Sequence, residues 1–148
     1  MQIVEDRQLA VGQALERVFA WLRENREPAG LSASALSALS RLESSGALRV
    51  TELSAREGLT QPGMTTLINR LENAGLAERC ADPLDGRAVR VSITDAGRER
   101  VIEHRTTRAA RIAARVSELP PADQESLFSA LSALEAFPVD ADSSARAS

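Results

Sequence analysis

The sequence predicts a mainly α-helical fold with a small antiparallel β-wing, and three observations carry the prediction. Apolar residues recur at helical spacing through most of the chain, most tightly as Met64, Leu67, Ile68 and Leu71. Gly58 followed by Thr60-Gln61-Pro62 sets a helix stop directly against a helix start. Val89, Val91 and Ile93 alternate with Arg90 and Ser92 behind Asp85-Gly86, the pattern of a strand returning from a hairpin.

The elements follow in order. From about residue 6 to 26, Val11, Leu15, Val18 and Leu22 form one apolar stripe, widened by Phe19, on a long helix that Pro28-Ala29-Gly30 breaks. Trp21 lies off that stripe, where a partner chain, a ligand or ordinary packing would each account for it. Leu31-Ser32 opens a second helix with Ala35, Leu36, Leu39 and Leu42 inside, and Leu48 and Val50 around Arg49 read as a short strand. Thr51 is placed to cap the next helix and Gly58 to end it, with the absent side chain permitting a close crossing. Thr60 then caps the following helix, with Pro62 in its first turn, where a missing N–H costs nothing.

That helix carries its apolar stripe on one side and Gln61, Thr65, Asn69 and Glu72 on the other, flanked by Thr66 and Arg70. Amide, hydroxyl and guanidinium groups are those that hydrogen-bond base edges and phosphate oxygens. A solvated helix face would show the same spacing. The adjoining short turn and wing favour DNA, and the whole reads as a winged helix-turn-helix lobe. Arg87, beside the hairpin tip, is placed to enter a minor groove; alone, it would read as a solvated turn residue.

After the wing, Thr94 caps a helix expected from Asp95 to about Ser117, basic through Arg98, Arg100, Arg105, Arg108, Arg111 and Arg115. Its basic face suits DNA backbone, an anionic effector or acidic side chains of a partner. Leu119-Pro120-Pro121 ends it, and a last helix from Asp123 carries Leu127, Leu131 and Leu134 with Phe128 and Phe137. This stripe and that of residues 11–22 have the character of a dimer interface, with packing inside one chain as the alternative.

Composition bounds the function. A chain of 148 residues with 43% hydrophobic content can bury a real core. Its net charge of -3 argues against a polybasic nucleic-acid binder. The acid excess lies outside residues 41–98, where 8 arginines face 8 acids, so Arg70, Arg79, Arg87 and Arg90 can still form a local basic edge. All 18 basic residues are arginine, which fits G+C-rich coding more simply than phosphate recognition. A single cysteine, no signal-peptide pattern and no membrane span give a cytoplasmic expectation. No nucleophile elbow, phosphate-cradling loop or paired metal motif is present, which argues against an enzyme and leaves no cofactor or metal expected.

Leu59-Thr60-Gln61-Pro62, Leu67-Ile68-Asn69-Arg70-Leu71-Glu72, Gly75-Leu76, Asp82-Pro83, Asp85-Gly86-Arg87-Ala88 and Ile93-Thr94-Asp95-Ala96-Gly97 together resemble the MarR family of bacterial transcriptional regulators. The resemblance implies a homodimer that binds double-stranded DNA at a pseudo-palindromic operator, a repressor released by a small-molecule effector. It implies an N-terminal dimerisation helix over 1–30, a DNA-binding lobe over 31–97 and C-terminal dimerisation helices over 98–137, while residues 138–148, Ala, Ser and Asp without an apolar pattern, read as a disordered tail. Within the lobe it places the recognition helix at about 60–74 and the wing at about 76–93. Gln61, Thr65, Thr66, Asn69 and Arg70 would then meet DNA, with Asp85 bracing the wing, Arg87 reaching the minor groove and Arg90 adding to the basic edge. Gly63-Met64-Thr65-Thr66 and Gly86 depart from the family's Ser- and Arg-richer pattern, which leaves the operator open. Two other readings stand beside this one: a winged helix that binds protein, and a redox-sensing regulator dependent on Cys80.

Overall fold

The computed structural model describes residues 2–25 and 30–137. The chain divides into an N-terminal unit, Met1–Leu31, and a second unit, Ser32–Ser148. The break expected at Pro28-Ala29 and the tail expected over 138–148 lie outside the described residues. Among its described residues the first unit holds one helix, α1 (Gln2–Glu24), which leaves Val4, Leu9, Val11, Val18 and Phe19 exposed.

In the second unit α2 (Ala33–Ser45), β1 (Leu48–Arg49), α3 (Val50–Glu57), α4 (Gln61–Asn73), β2 (Ala77–Ala81), β3 (Val89–Ile93), α5 (Asp95–Ser117), α6 (Pro121–Ser129) and α7 (Leu131–Glu135) follow in order. The three strands form an antiparallel sheet in the order β1-β3-β2, with Leu48 opposite Val91 and Arg79 opposite the same residue from the other side. The core joins α2 (Ala35, Ala38, Leu39, Leu42), α3 (Leu53), the α4 stripe, the strands (Leu48, Ala77, Val91, Ile93) and Val101 of α5.

Ser32 caps α2 by accepting from the Ala35 amide. Glu57 of α3 fixes α3 against α2: Ser37 Oγ donates to it, and Arg41 Nε donates at 3.1 Å. Its side chain is 7% exposed, and the two partners offset the cost of burying its charge. Val50 opens α3 rather than extending β1, and Thr51 is not its cap. Glu52 instead accepts from the Arg49 amide at 2.8 Å, satisfying that end from the third helical position and drawing the helix start forward. Gly58 ends α3 in the left-handed region, φ 64°, with its amide and that of Leu59 both donating to the Ser54 carbonyl. No neighbour stands within 4 Å of where a Gly58 Cβ would lie, so conformation and not close crossing requires that glycine.

Close approach occurs at Gly97 instead. Thr94 caps α5 through the Gly97 amide, and its hydroxyl donates to the Gly75 carbonyl at 2.6 Å, so the start of α5 sits on the chain leaving α4. A Cβ at Gly97 would lie 2.1 Å from the Leu76 carbonyl oxygen and 2.7 Å from Ile93 Cγ1.

The last helix begins at Pro121, two residues before Asp123, and is two helices meeting at Ala130. Proline suits a first helical turn, and the Ser126 and Ser129 hydroxyls donate to the Ala122 and Glu125 carbonyls, competition that bends a helix. Leu127, Phe128, Leu131, Leu134 and Phe137 remain exposed along them.

Gly97→Ala forces a backbone shift where α4, β3 and α5 meet. Overpacking of this kind costs at least about 2 kcal/mol, a melting temperature lower by roughly 4–8 °C for a chain this size. An unchanged melting curve would mean that α5 does not seat on Leu76.

Candidate nucleic-acid interface

Burial of Met64, Leu67, Ile68 and Leu71 sets which side of α4 faces water, because one rotation of the helix fixes every other side chain. Gln61, Thr65, Thr66, Asn69 and Arg70 are all exposed along the opposite side. Thr60 accepts from the Gly63 amide at 3.3 Å and starts the helix as expected. Thr66 Oγ1 donates to the Pro62 carbonyl at 3.0 Å. Arg70 makes no side-chain hydrogen bond or ion pair among the described residues.

Asn69 and Glu72, one turn apart, converge on Arg79 of β2. Arg79 Nη1 forms an ion pair with the Glu72 carboxylate, and Nη2 donates to Asn69 Oδ1 at 3.0 Å. Arg79 shares the helix-facing side of the sheet with its partner Val91, which brings it to α4. Glu72 is therefore half-buried against the wing rather than part of an open polar face.

The wing is not a two-residue turn. Asp85 and Gly86 both lack the positive φ that such a turn demands. Residues 82–88 instead form two successive turns: the Asp85 amide donates to the Asp82 carbonyl, the Ala88 amide to the Asp85 carbonyl, and the Asp82 amide closes the loop on the Ala88 carbonyl. Asp85 Oδ1 accepts from the Arg87 amide at 3.1 Å. Arg87 itself is exposed at the wing edge, its guanidinium without a partner among the described residues.

A second aspartate, which the sequence reading passed over, carries more of the wing. The Asp82 side chain is fully buried; Arg49 donates to Oδ2 from Nε at 2.9 Å and lies 2.8 Å away through Nη2. Arg90 Nε stands 3.0 Å from the same oxygen, an ionic contact not aligned as a hydrogen bond. The Leu84 amide donates to Oδ1 at 3.0 Å. That amide, with Arg49 and Arg90, holds the Asp82 carboxyl far below the usual carboxylate range despite the opposing effect of burial. The Asp82 hydrogen bond in turn raises the Arg49 pKa. Arg90, expected on the basic edge, is thus occupied in holding the sheet. Asp-Pro before a loop is a legible turn signal, but nothing local ties Asp82 to Arg49, 33 residues earlier.

Cys80 lies half-buried on β2, its Sγ 3.7 Å from the Arg90 carbonyl oxygen. Arg79, the neighbouring cation, leaves by the opposite face of the strand to meet Glu72. Among the described residues no group of three or more His, Cys, Asp or Glu could hold a metal, and no helix is long and apolar enough to cross a membrane.

Comparison with known proteins gives the same picture. Residues 29–88 match the model described as "MarR family". The HTH-type transcriptional regulator Mb0904 of Mycobacterium bovis is 35% identical over 117 residues, covering 79% of this chain and 82% of that one. The HTH-type transcriptional repressor MdtR of Bacillus subtilis is 28% identical over 96 residues, covering 65% and 62%. The crystal structure of YusO from Bacillus subtilis superposes with a TM-score of 0.65 at 25% identity, covering 93% of this chain and 97% of that one. With α4 laid bare beside a braced wing and these relatives alongside, the chain belongs to the MarR family: it is a transcriptional regulator with a DNA-binding winged helix, not an enzyme.

Proposed function

We propose that the protein acts as a cytoplasmic homodimeric repressor, α4 of each copy entering one major groove of a pseudo-palindromic operator and each wing the adjoining minor groove. The observation that carries this reading is the exposed row Gln61, Thr65, Thr66, Asn69 and Arg70 on a helix whose other side is buried. Gln61, Thr65 and Thr66 would read base edges and thymine methyls, Asn69 and Arg70 would set register on phosphates, and Arg87 would enter the minor groove. Two recognition helices on one face of DNA need centres about 34 Å apart, a spacing that only a fixed pair of lobes supplies.

The pairing is supported by the apolar side chains that one copy leaves in water. Val11, Val18 and Phe19 on α1 and Leu127, Phe128, Leu131 and Leu134 on α6 and α7 are all more than a third exposed. Large apolar faces of this kind mark interfaces. Repression accords with the named activity of MdtR and with simple occlusion of a promoter. Release by a small-molecule effector belongs to this reading as an expectation of the family.

The experiment that tests the whole reading is a mobility-shift assay on the protein's own upstream DNA at two salt concentrations, paired with in vitro transcription from that promoter. A retarded complex that weakens with salt, together with reduced transcript, is the expected result. Transcript rising with bound protein would replace repression by activation. Arg87→Ala should lower operator affinity about tenfold, roughly 1.4 kcal/mol, without moving the melting temperature; affinity unchanged within about twofold removes the wing from DNA.

Asp82→Ala differs, because it leaves Arg49 and Arg90 facing each other: both operator affinity and melting temperature should fall. Since the folded Asp82 pKa is depressed, its stabilisation is present above the unfolded value of about 3.9 and is lost only as pH falls through the lower folded value. Its carboxyl carbon shift should stay flat down to about pH 4, and a midpoint at the ordinary value would remove the ion pair. Leu131→Glu with Phe128→Glu should convert a two-chain species to a single chain in sedimentation at micromolar concentration. A wild type that sediments as one chain would end the homodimer reading.

A further inference from the structure

The four arginines of the DNA-facing edge are not equivalent. Arg70 and Arg87 are exposed, with guanidinium groups free among the described residues. Arg90 is held by Asp82. Arg79 is held by Glu72 and Asn69 at the border between recognition helix and wing, its side chain 37% and that of Glu72 24% exposed. Arg79 therefore lies where it could reach a phosphate but is neutralised by an acid on α4 itself.

Phosphate attraction is blind to sequence, and each phosphate neutralised strengthens binding to every duplex alike. With Arg79 restrained, α4 and the wing offer Arg70 and Arg87 as their unpaired cations, on a chain of net charge -3. Discrimination then rests more heavily on the amide and hydroxyl groups that read bases. Arg79 also occupies the Asn69 carbonyl oxygen, which leaves the Asn69 N–H donors for the phosphate contact proposed for it.

We infer that Glu72 is a specificity-determining residue, holding Arg79 back from the phosphates so that binding to DNA of arbitrary sequence stays weak. The inference rests on α4 being the helix that meets DNA. Glu72 need not touch a base to act this way. It functions as an element that disfavours the wrong partner.

The test is a cycle of Glu72→Gln, Arg79→Ala and the double variant of the full-length chain, titrated by fluorescence anisotropy against a random-sequence duplex and one selected from genomic fragments. Glu72→Gln should bind the random duplex about fivefold more tightly at low salt. One extra neutralised phosphate steepens the slope of log affinity on log salt by about 0.9, so the gain should shrink about 3.5-fold between roughly 50 and 200 mM salt. Arg79→Ala should change random-duplex affinity less than about twofold, because that cation is already spent, and in the double variant most of the gain should vanish. Unchanged affinity and slope in Glu72→Gln overturns the inference, as does a gain that survives intact without Arg79, which would make Glu72 a simple repulsive charge. Thr65→Ala separates this from failure of the recognition-helix reading. If Thr65→Ala weakens the selected duplex while Glu72→Gln does nothing, only the inference falls; if neither matters, α4 does not meet DNA and both fall. Matching melting temperatures across the set exclude a folding defect.

Discussion

Burial of one stripe of α4 is the constraint on which the rest of the structure depends. Met64, Leu67, Ile68 and Leu71 are buried where α4 packs against α3 and β2. Four such side chains contribute on the order of 6–12 kcal/mol of transfer free energy, comparable with the whole net stability of a domain, roughly 5–15 kcal/mol. No rotation of α4 is affordable on that scale. The polar row is thereby aimed outward with the rigidity of the core, which a loop could not provide, and the proposed readout of base edges would need that rigidity because a bidentate contact tolerates little misplacement.

Electrostatics then sorts the arginines by task. Glu57 uses Arg41 to join α2 to α3, Glu43 takes Arg105 of α5 at 2.8 Å, and Asp82 draws in Arg49 and Arg90 on the outer side of the sheet. Arg79 meets Glu72 between the wing and α4. Those side chains hold elements together. Among the described residues of α4 and the wing, Arg70 and Arg87 make no ion pair, and on the proposed reading they would meet DNA: a local arrangement of a few unpaired cations can serve a chain of net charge -3, provided acids elsewhere are occupied or distant. The wing shows the same economy. Its loop carries no left-handed residue, and its shape is maintained by a buried carboxylate whose acceptor sites are filled from three directions.

Helix spans and caps were legible wherever one local signal sufficed. Thr60 before Pro62, Gly58 after α3, Thr94 before α5 and the two prolines after Leu119 act within one turn of chain, and each is where the spacing put it. Places where two local signals competed were misread. Thr51 looked like a cap, but Glu52 reaching back to the Arg49 amide won; Asp85-Gly86 looked like a tight turn, but the Asp82 carboxylate organised a wider loop. The last helix read as continuous because its apolar spacing is regular, while serine hydroxyls bonded to carbonyls and the turn at Ala130 divide it.

By itself the sequence determined the periodicities, and with them the helices, the alternating return strand and the outward row from Gln61 to Arg70, since each depends only on neighbours three or four residues away along the chain. Tertiary structure alone decided which charges are free. Asp82 finds Arg49 across 33 residues, and Glu57 finds Ser37 across 20. Glu72 finds Arg79 only because β2 folds back along α4. Coulomb attraction and burial act through space, and a chain must fold before distance in space replaces distance in sequence.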